Sequence, residues 1–161
     1  MKHLLLALIT VTTIALTSSC QNKAEKAAEK QIEKATGEKA DVELSDDKFK
    51  IETGDGTISA DATATSWPGD IPSSVPEFKY GKVDYVSQND IGGQKTWTIH
   101  FVNVKNDALK KYEADLKDKG LKIIVTQTME NWGNVTAEKG SLMVNAMTES
   151  NEATVMVNIG E

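Results

Sequence analysis

The chain has 161 residues, 18 basic against 24 acidic side chains, and a net charge of −6 at neutral pH. Every basic residue is a lysine, so the chain offers neither the clustered positive charge nor the guanidinium fork that phosphate backbones select, and nucleic acid is not expected as a partner. One cysteine and two histidines rule out a disulfide framework and leave His100, outside the N-terminal segment, as the single downstream imidazole.

The chain opens on Met1, Lys2 and His3, an apolar run over residues 4–16, and then Thr17-Ser18-Ser19-Cys20. A charged start, a short hydrophobic stretch and small residues follow the order of a secretory signal. Thirteen apolar-run residues with three threonines fall short of the ~20 needed to cross a bilayer. A free thiol at a new N-terminus outside the cell would be prone to oxidation, whereas a diacylglyceryl thioether removes it. Leu16-Thr17-Ser18-Ser19-Cys20 resembles a bacterial lipobox, with Thr17 where that pattern prefers Leu, Val or Ile. Residues 1–19 are therefore expected to be a lipoprotein signal peptide and Cys20 the lipidated residue, plain secretion being the alternative. At ~0.8 kcal/mol per buried methylene, two or three chains anchor firmly. Without residues 1–19, seventeen lysines stand against twenty-four acids, a net −7, so the anchor rather than the body would hold the membrane. The resemblance implies a lipid-anchored protein of the bacterial envelope. Gln21, where Asp resembles an inner-membrane retention signal, favours the outer membrane if there are two.

Residues 20–40 are expected to form a lipid-anchored helical stalk rich in Ala, Glu and Lys, with one large apolar residue, Ile32, on its stripe. Lys26–Glu29 and Lys30–Glu33 face one another across a turn, and Gly37 can end the helix. So thin a stripe reads as a spacer or loosely docked arm rather than a coiled-coil seam; about fourteen helical residues would span ~20 Å. Over 41–64 the period changes to two, through Val42 and Leu44, Phe49 and Ile51, and Ile58 and Ala60. Turns fall at Ser45-Asp46-Asp47 and Gly54-Asp55-Gly56, giving a short β-meander. Its acids lack the spacing of a calcium loop.

Residues 65–79 hold all three prolines, in Trp67-Pro68-Gly69-Asp70-Ile71-Pro72-Ser73-Ser74-Val75-Pro76, and read as a linker of fixed path. This segment, together with a stalk ending in Glu33-Lys34-Ala35-Thr36-Gly37, an aromatic strand over 97–101 and a helix carrying Tyr112 and Leu116, resembles a family of small bacterial lipoproteins. The resemblance covers nearly the whole mature chain. It implies location and architecture, and brings no catalytic residues with it.

Residues 80–161 read as an α+β domain. Strands are expected at 82–87, 95–104, 121–128, 133–138, 142–148 and 153–159, with one helix capped by Asn106 or Asp107 and ended by Gly120. One helix among six strands implies a mostly antiparallel curved sheet packed on that helix, and the fold class is α+β. Met129, Met143, Met147 and Met156 are expected mostly to fill the core.

Catalytic patterns are sparse. His100 falls in the polar phase of its strand and reads as structural. The residues show no phosphate loop, no nucleophile elbow and no Cys–His pair, so no catalytic residue, metal or cofactor is assigned. Acids such as Asp46, Asp47 and Glu130 keep a two-carboxylate hydrolase open as an alternative, and a passive spacer is a third reading. Aromatic rings near loops, Trp67, Tyr80 and Trp132, are the candidate ligand contacts, with clamping of the linker as the competing role. Asn134-Val135-Thr136 matches a glycosylation sequon that a bacterial lipoprotein is not expected to use. The expected function is non-enzymatic binding of a protein or cell-wall partner, with the membrane engaged through the lipid on Cys20.

Overall fold

The computed structural model describes residues 21–160; Cys20 and the segment before it lie outside them. Helix α1 (Gln21–Thr36) leads into β1 (Ala40–Leu44), β2 (Lys48–Thr53) and β3 (Gly56–Asp61). After the proline-bearing segment come β4 (Lys82–Ile91), β5 (Gln94–Val102), α2 (Ala108–Asp118), β6 (Lys122–Thr128), β7 (Trp132–Lys139), β8 (Leu142–Glu149) and β9 (Glu152–Ile159). The nine strands form one antiparallel sheet in the order β1-β2-β3-β4-β5-β9-β8-β7-β6, and the class is α+β. No helix among the described residues is long and apolar enough to cross a membrane.

Alternation along the C-terminal strands divides the sheet cleanly. On the inner face Trp97, Ile99 and Phe101 of β5, Ala153, Val155 and Val157 of β9, Leu142, Val144 and Ala146 of β8, and Val135 and Ala137 of β7 are buried. Helix α2 packs over the β6–β8 side of this face with Ala108, Leu109, Tyr112 and Leu116. Its expected cap differs in detail: Asp107 holds the N-cap position without a side-chain cap bond, its carboxylate instead pairing with Lys111 at 2.6 Å. The expected stop is seen at Gly120, where φ is +77° and the Gly120 and Leu121 N–H groups donate back to the Lys117 and Leu116 carbonyls.

The proline segment completes this core. Ile71, Val75 and Phe78 are buried in it, and Trp67 stacks on Phe101 with ring centroids 6.4 Å apart. The Tyr112 hydroxyl donates to the Pro76 carbonyl at 3.0 Å, and Asp70 accepts from Trp97 Nε1 at 3.1 Å and Lys95 Nζ at 2.8 Å. Residues 65–79 are thus a strap across the inner face beside α2.

Between β3 and β4 the sheet changes its apolar side. Paired residues share a face, and Ala60 lies opposite Ser87, which lies opposite Thr98. Ile58 and Ala60, and through them Ile51, Phe49, Val42 and Leu44, therefore face away from Trp97 and Ile99. Helix α1 packs against β1, and Val42 is only 3% exposed. The helix lies on the meander as a docked arm rather than standing off as a spacer; Glu25 accepts from the Leu44 N–H at 3.0 Å.

The methionines correct the expectation from sequence. Met129 is 70% exposed, and Met143, Met147 and Met156 are 44, 40 and 38% exposed. Met143, Met147 and Met156 do not fill the core because Leu142, Val144 and Ala146 take the inner phase of β8, and Val155 and Val157 that of β9, while Met129 lies just past the end of β6.

Candidate functional site

Two surfaces merit chemical scrutiny. The first is a cleft of about 580 Å³ where the inner face of the meander meets the strap, lined in part by Lys48, Lys50, Ser59, Asp61, Val86 and Pro68. It lies on the inner side because the meander turns its polar phase that way. Its lysines and Asp61 are already paired: Lys48 Nζ lies 2.8 Å from Asp61, and Lys50 Nζ 2.5 Å from Glu52. The Lys48 hydrogen bond, aided by Thr63, lowers the Asp61 carboxyl to about 2, so it stays ionised. A hydrolase built on two carboxylates needs one acid held protonated near neutrality. The Asp61 environment does the opposite. Asp46 and Asp47 sit exposed in the β1–β2 turn and Glu130 in the β6–β7 turn, outside this cleft's lining.

The second surface is the outer face of β4 to β9, which no helix covers among the described residues. Met143, Met147 and Met156 stand on it with Tyr85 at 38% and Val125 at 39% exposure. Between them runs a polar ladder: Thr96 donates to Asn158 at 2.8 Å, and Asn145 donates to Thr136 at 2.8 Å. His100 lies here, stacked on Tyr85 at 5.1 Å, its Nδ1 3.3 Å from Asp84 and its Nε2 3.6 Å from Glu152. The Asp84 approach makes no well-formed hydrogen bond at Nδ1. Among the described residues no group of three His, Cys, Asp or Glu is placed to hold a metal ion.

The three aromatic candidates are not brought together. Trp67 packs on the core over Phe101. Tyr80 lies edge-on to Phe78, and its hydroxyl donates to Asp115 at 2.6 Å; burial and then this bond push its pKa up to about 12. Both clamp the strap. Trp132 begins β7 opposite Glu149 and borders the open methionine face. Sequence reasoning missed that face, although the readable signal was there: both phases of Leu142-Met143-Val144-Asn145-Ala146-Met147 are rich in apolar side chains, and only one can be inward.

Comparison of the chain with family models, with curated proteins and with solved structures yields no match.

Proposed function

We propose that the chain is a lipid-anchored protein of the bacterial envelope, held by acyl chains on Cys20, that works by binding another protein rather than by catalysis. The single observation carrying the binding half of this reading is the uncovered outer face with its three exposed methionines. Apolar side chains gathered on one uncovered sheet face mark it as a docking surface. Methionine suits that task, being polarisable and easily re-shaped to a partner. The face is a broad sheet surface, which favours a protein over a small molecule. Asp84, Glu138, Glu149 and Glu152 lie around it, so the partner is one whose apolar contact is rimmed by lysine or arginine. The anchoring half rests on the order of residues 1–20 and on the family resemblance of stalk, strap and domain. Outer-membrane placement is proposed for a two-membrane organism on the strength of Gln21.

Two measurements test the halves separately. Metabolic labelling with palmitate is expected to mark the protein, and Cys20→Ser to abolish the label and release the protein from membranes. A labelled Cys20→Ser chain would refute the anchor. For the face, photo-cross-linkers at Met147 and at exposed Lys79, away from the face, are compared in intact cells. A salt-sensitive adduct from 147 alone, lost in Glu149→Lys with Glu152→Lys, is expected; equal capture from both positions would refute the surface.

A further inference from the structure

The nine-stranded sheet has two edges, and they are built differently. At β1 the edge is dressed: Glu25 from α1 accepts from the Leu44 N–H, and the exposed Asp41 and Glu43 place negative charge along the strand. Charges and covering side chains are the usual means of keeping an edge from pairing with another chain. At β6 the dressing is confined to the start of the strand, where Lys122 and an irregularity between Ile123 and Val125 lie. The strand pairs with β7 on one side, and α2 packs toward it from the helix-covered face. Residues 123–129 carry no charge and no proline, and Ile124 and Val125 are 47 and 39% exposed.

Backbone parity says which groups are available. The Met129 N–H donates to the Trp132 carbonyl at 2.7 Å, so Met129, and by alternation Gln127 and Val125, direct their backbone groups to β7. Thr126 and Thr128 direct theirs to the open edge.

We propose that β6 is a self-pairing edge: two copies of the chain dock through it antiparallel, Thr126 against Thr126 across a two-fold axis, joining two nine-stranded sheets. In this register Thr128 falls opposite Ile124 of the second copy, and Val125 opposite Gln127 on the outer face. The residues brought into hydrogen-bonded positions include Thr126 and Thr128, whose backbone groups face outward. The charges agree as well. Lys122, the one cation at the start of the strand and 79% exposed, comes beside Glu130 just past the other end of the second copy's strand, and symmetry makes this pair twice. Its present partner, Glu138 at 3.4 Å, is a loose surface pair that leaves the ammonium free to be shared. The irregularity between Ile123 and Val125 ends the regular edge there and limits the joint to about five residues. A second copy is the occupant because the strand complements itself in both parity and charge. The outer methionine face stays open in the pair, so this inference stands apart from the proposed binding function.

The test uses the full-length chain expressed with its own leader. Directly opposed residues of a hydrogen-bonded antiparallel pair have Cα atoms ~5.5 Å apart, within the reach of a disulfide. Thr126→Cys is expected to give a disulfide-linked dimer on mild oxidation, whereas Asp46→Cys in the β1–β2 turn and the parent chain, whose single cysteine is Cys20, stay monomeric on the same gel. Thr126→Pro is expected to abolish dimer sedimentation of the detergent-extracted protein while its circular dichroism persists, because the lost N–H points away from β7. Lys122→Glu is expected to weaken the dimer about tenfold or more, and Glu130→Lys added to it to restore the dimer. A Thr126→Cys chain that links no more than Asp46→Cys, or only to a different protein, overturns the proposal. So does a dimer indifferent to the charge reversal.

Discussion

The two halves of the sheet solve the same burial problem by unequal means. The C-terminal half buries one face under a helix and an aromatic strap: Trp97, Tyr112, Phe78 and Phe101 are all fully buried, with Phe78 4.7 Å from Phe101 and 5.1 Å from Tyr112 between ring centroids. The N-terminal half buries its apolar phase on the other side under α1, whose contribution is alanines and one isoleucine; of its strand residues only Val42 is buried, and Phe49 is 39% exposed. Continuous hydrogen bonding through β3 and β4 does not make the halves equally stable, since stability follows the apolar area sealed from water.

The comparison can be broken at several points, in falling order of effect. Phe78→Ala removes a ring from the centre of the sealed half and is expected to cost about 3–5 kcal/mol in denaturant melts, unfolding the whole sheet. A loss confined to the strap would show that residues 65–79 are not core. Gly56→Ala is expected to separate the halves: φ there is +147°, and an added Cβ would overlap the Asp90 carbonyl oxygen at the β3–β4 junction. Hydrogen exchange should then show fast amides over β1–β3 with protection kept in β5, β9 and β8; uniform loss would make the sheet one cooperative unit. Ile32→Ala, on α1, is expected to cost less than about 2 kcal/mol and to be felt only in the meander.

Tyr80→Phe sharpens the account of the strap. Removing the bond to Asp115 is expected to cost about 1 kcal/mol at neutral pH. Its pKa is raised in the folded protein, so the bond's stabilisation is complete below the unfolded value of ~10 and is lost as pH rises toward about 12. The wild-type chain should therefore lose stability more steeply than Tyr80→Phe over that alkaline window, as read by melting at each pH. Smallest of all, Met147→Gln on the open face is expected to shift stability by no more than about 0.5 kcal/mol. A loss of 2 kcal/mol or more would mean that the face is covered.

Much of the architecture is legible in the sequence. The period-two patterns placed all nine strands, and the spacing of Leu109, Tyr112 and Leu116 with Gly120 placed α2, because local alternation and helix stops are written in consecutive residues. The strap was legible as a fixed path through its prolines, but its insertion into the core was not, since Ile71 and Val75 lie in no periodic pattern. From consecutive residues alone Trp67 and Tyr80 can be clamp or contact; the fold sets them beside Phe101 and Asp115. The methionines were misread because two apolar phases in one strand cannot both be inward, and nothing local says which is.

What the sequence determined by itself is therefore what depends on neighbours in the chain: element type, turn positions, the charge of the body, and the N-terminal order on which the expectation of an anchor rests. Only the tertiary structure decided which side of each strand is sealed, that the apolar face changes sides at β3–β4, and that β6 rather than β1 is left as the open edge. Those are relations between segments far apart in sequence, set by which surfaces find a cover when the sheet assembles.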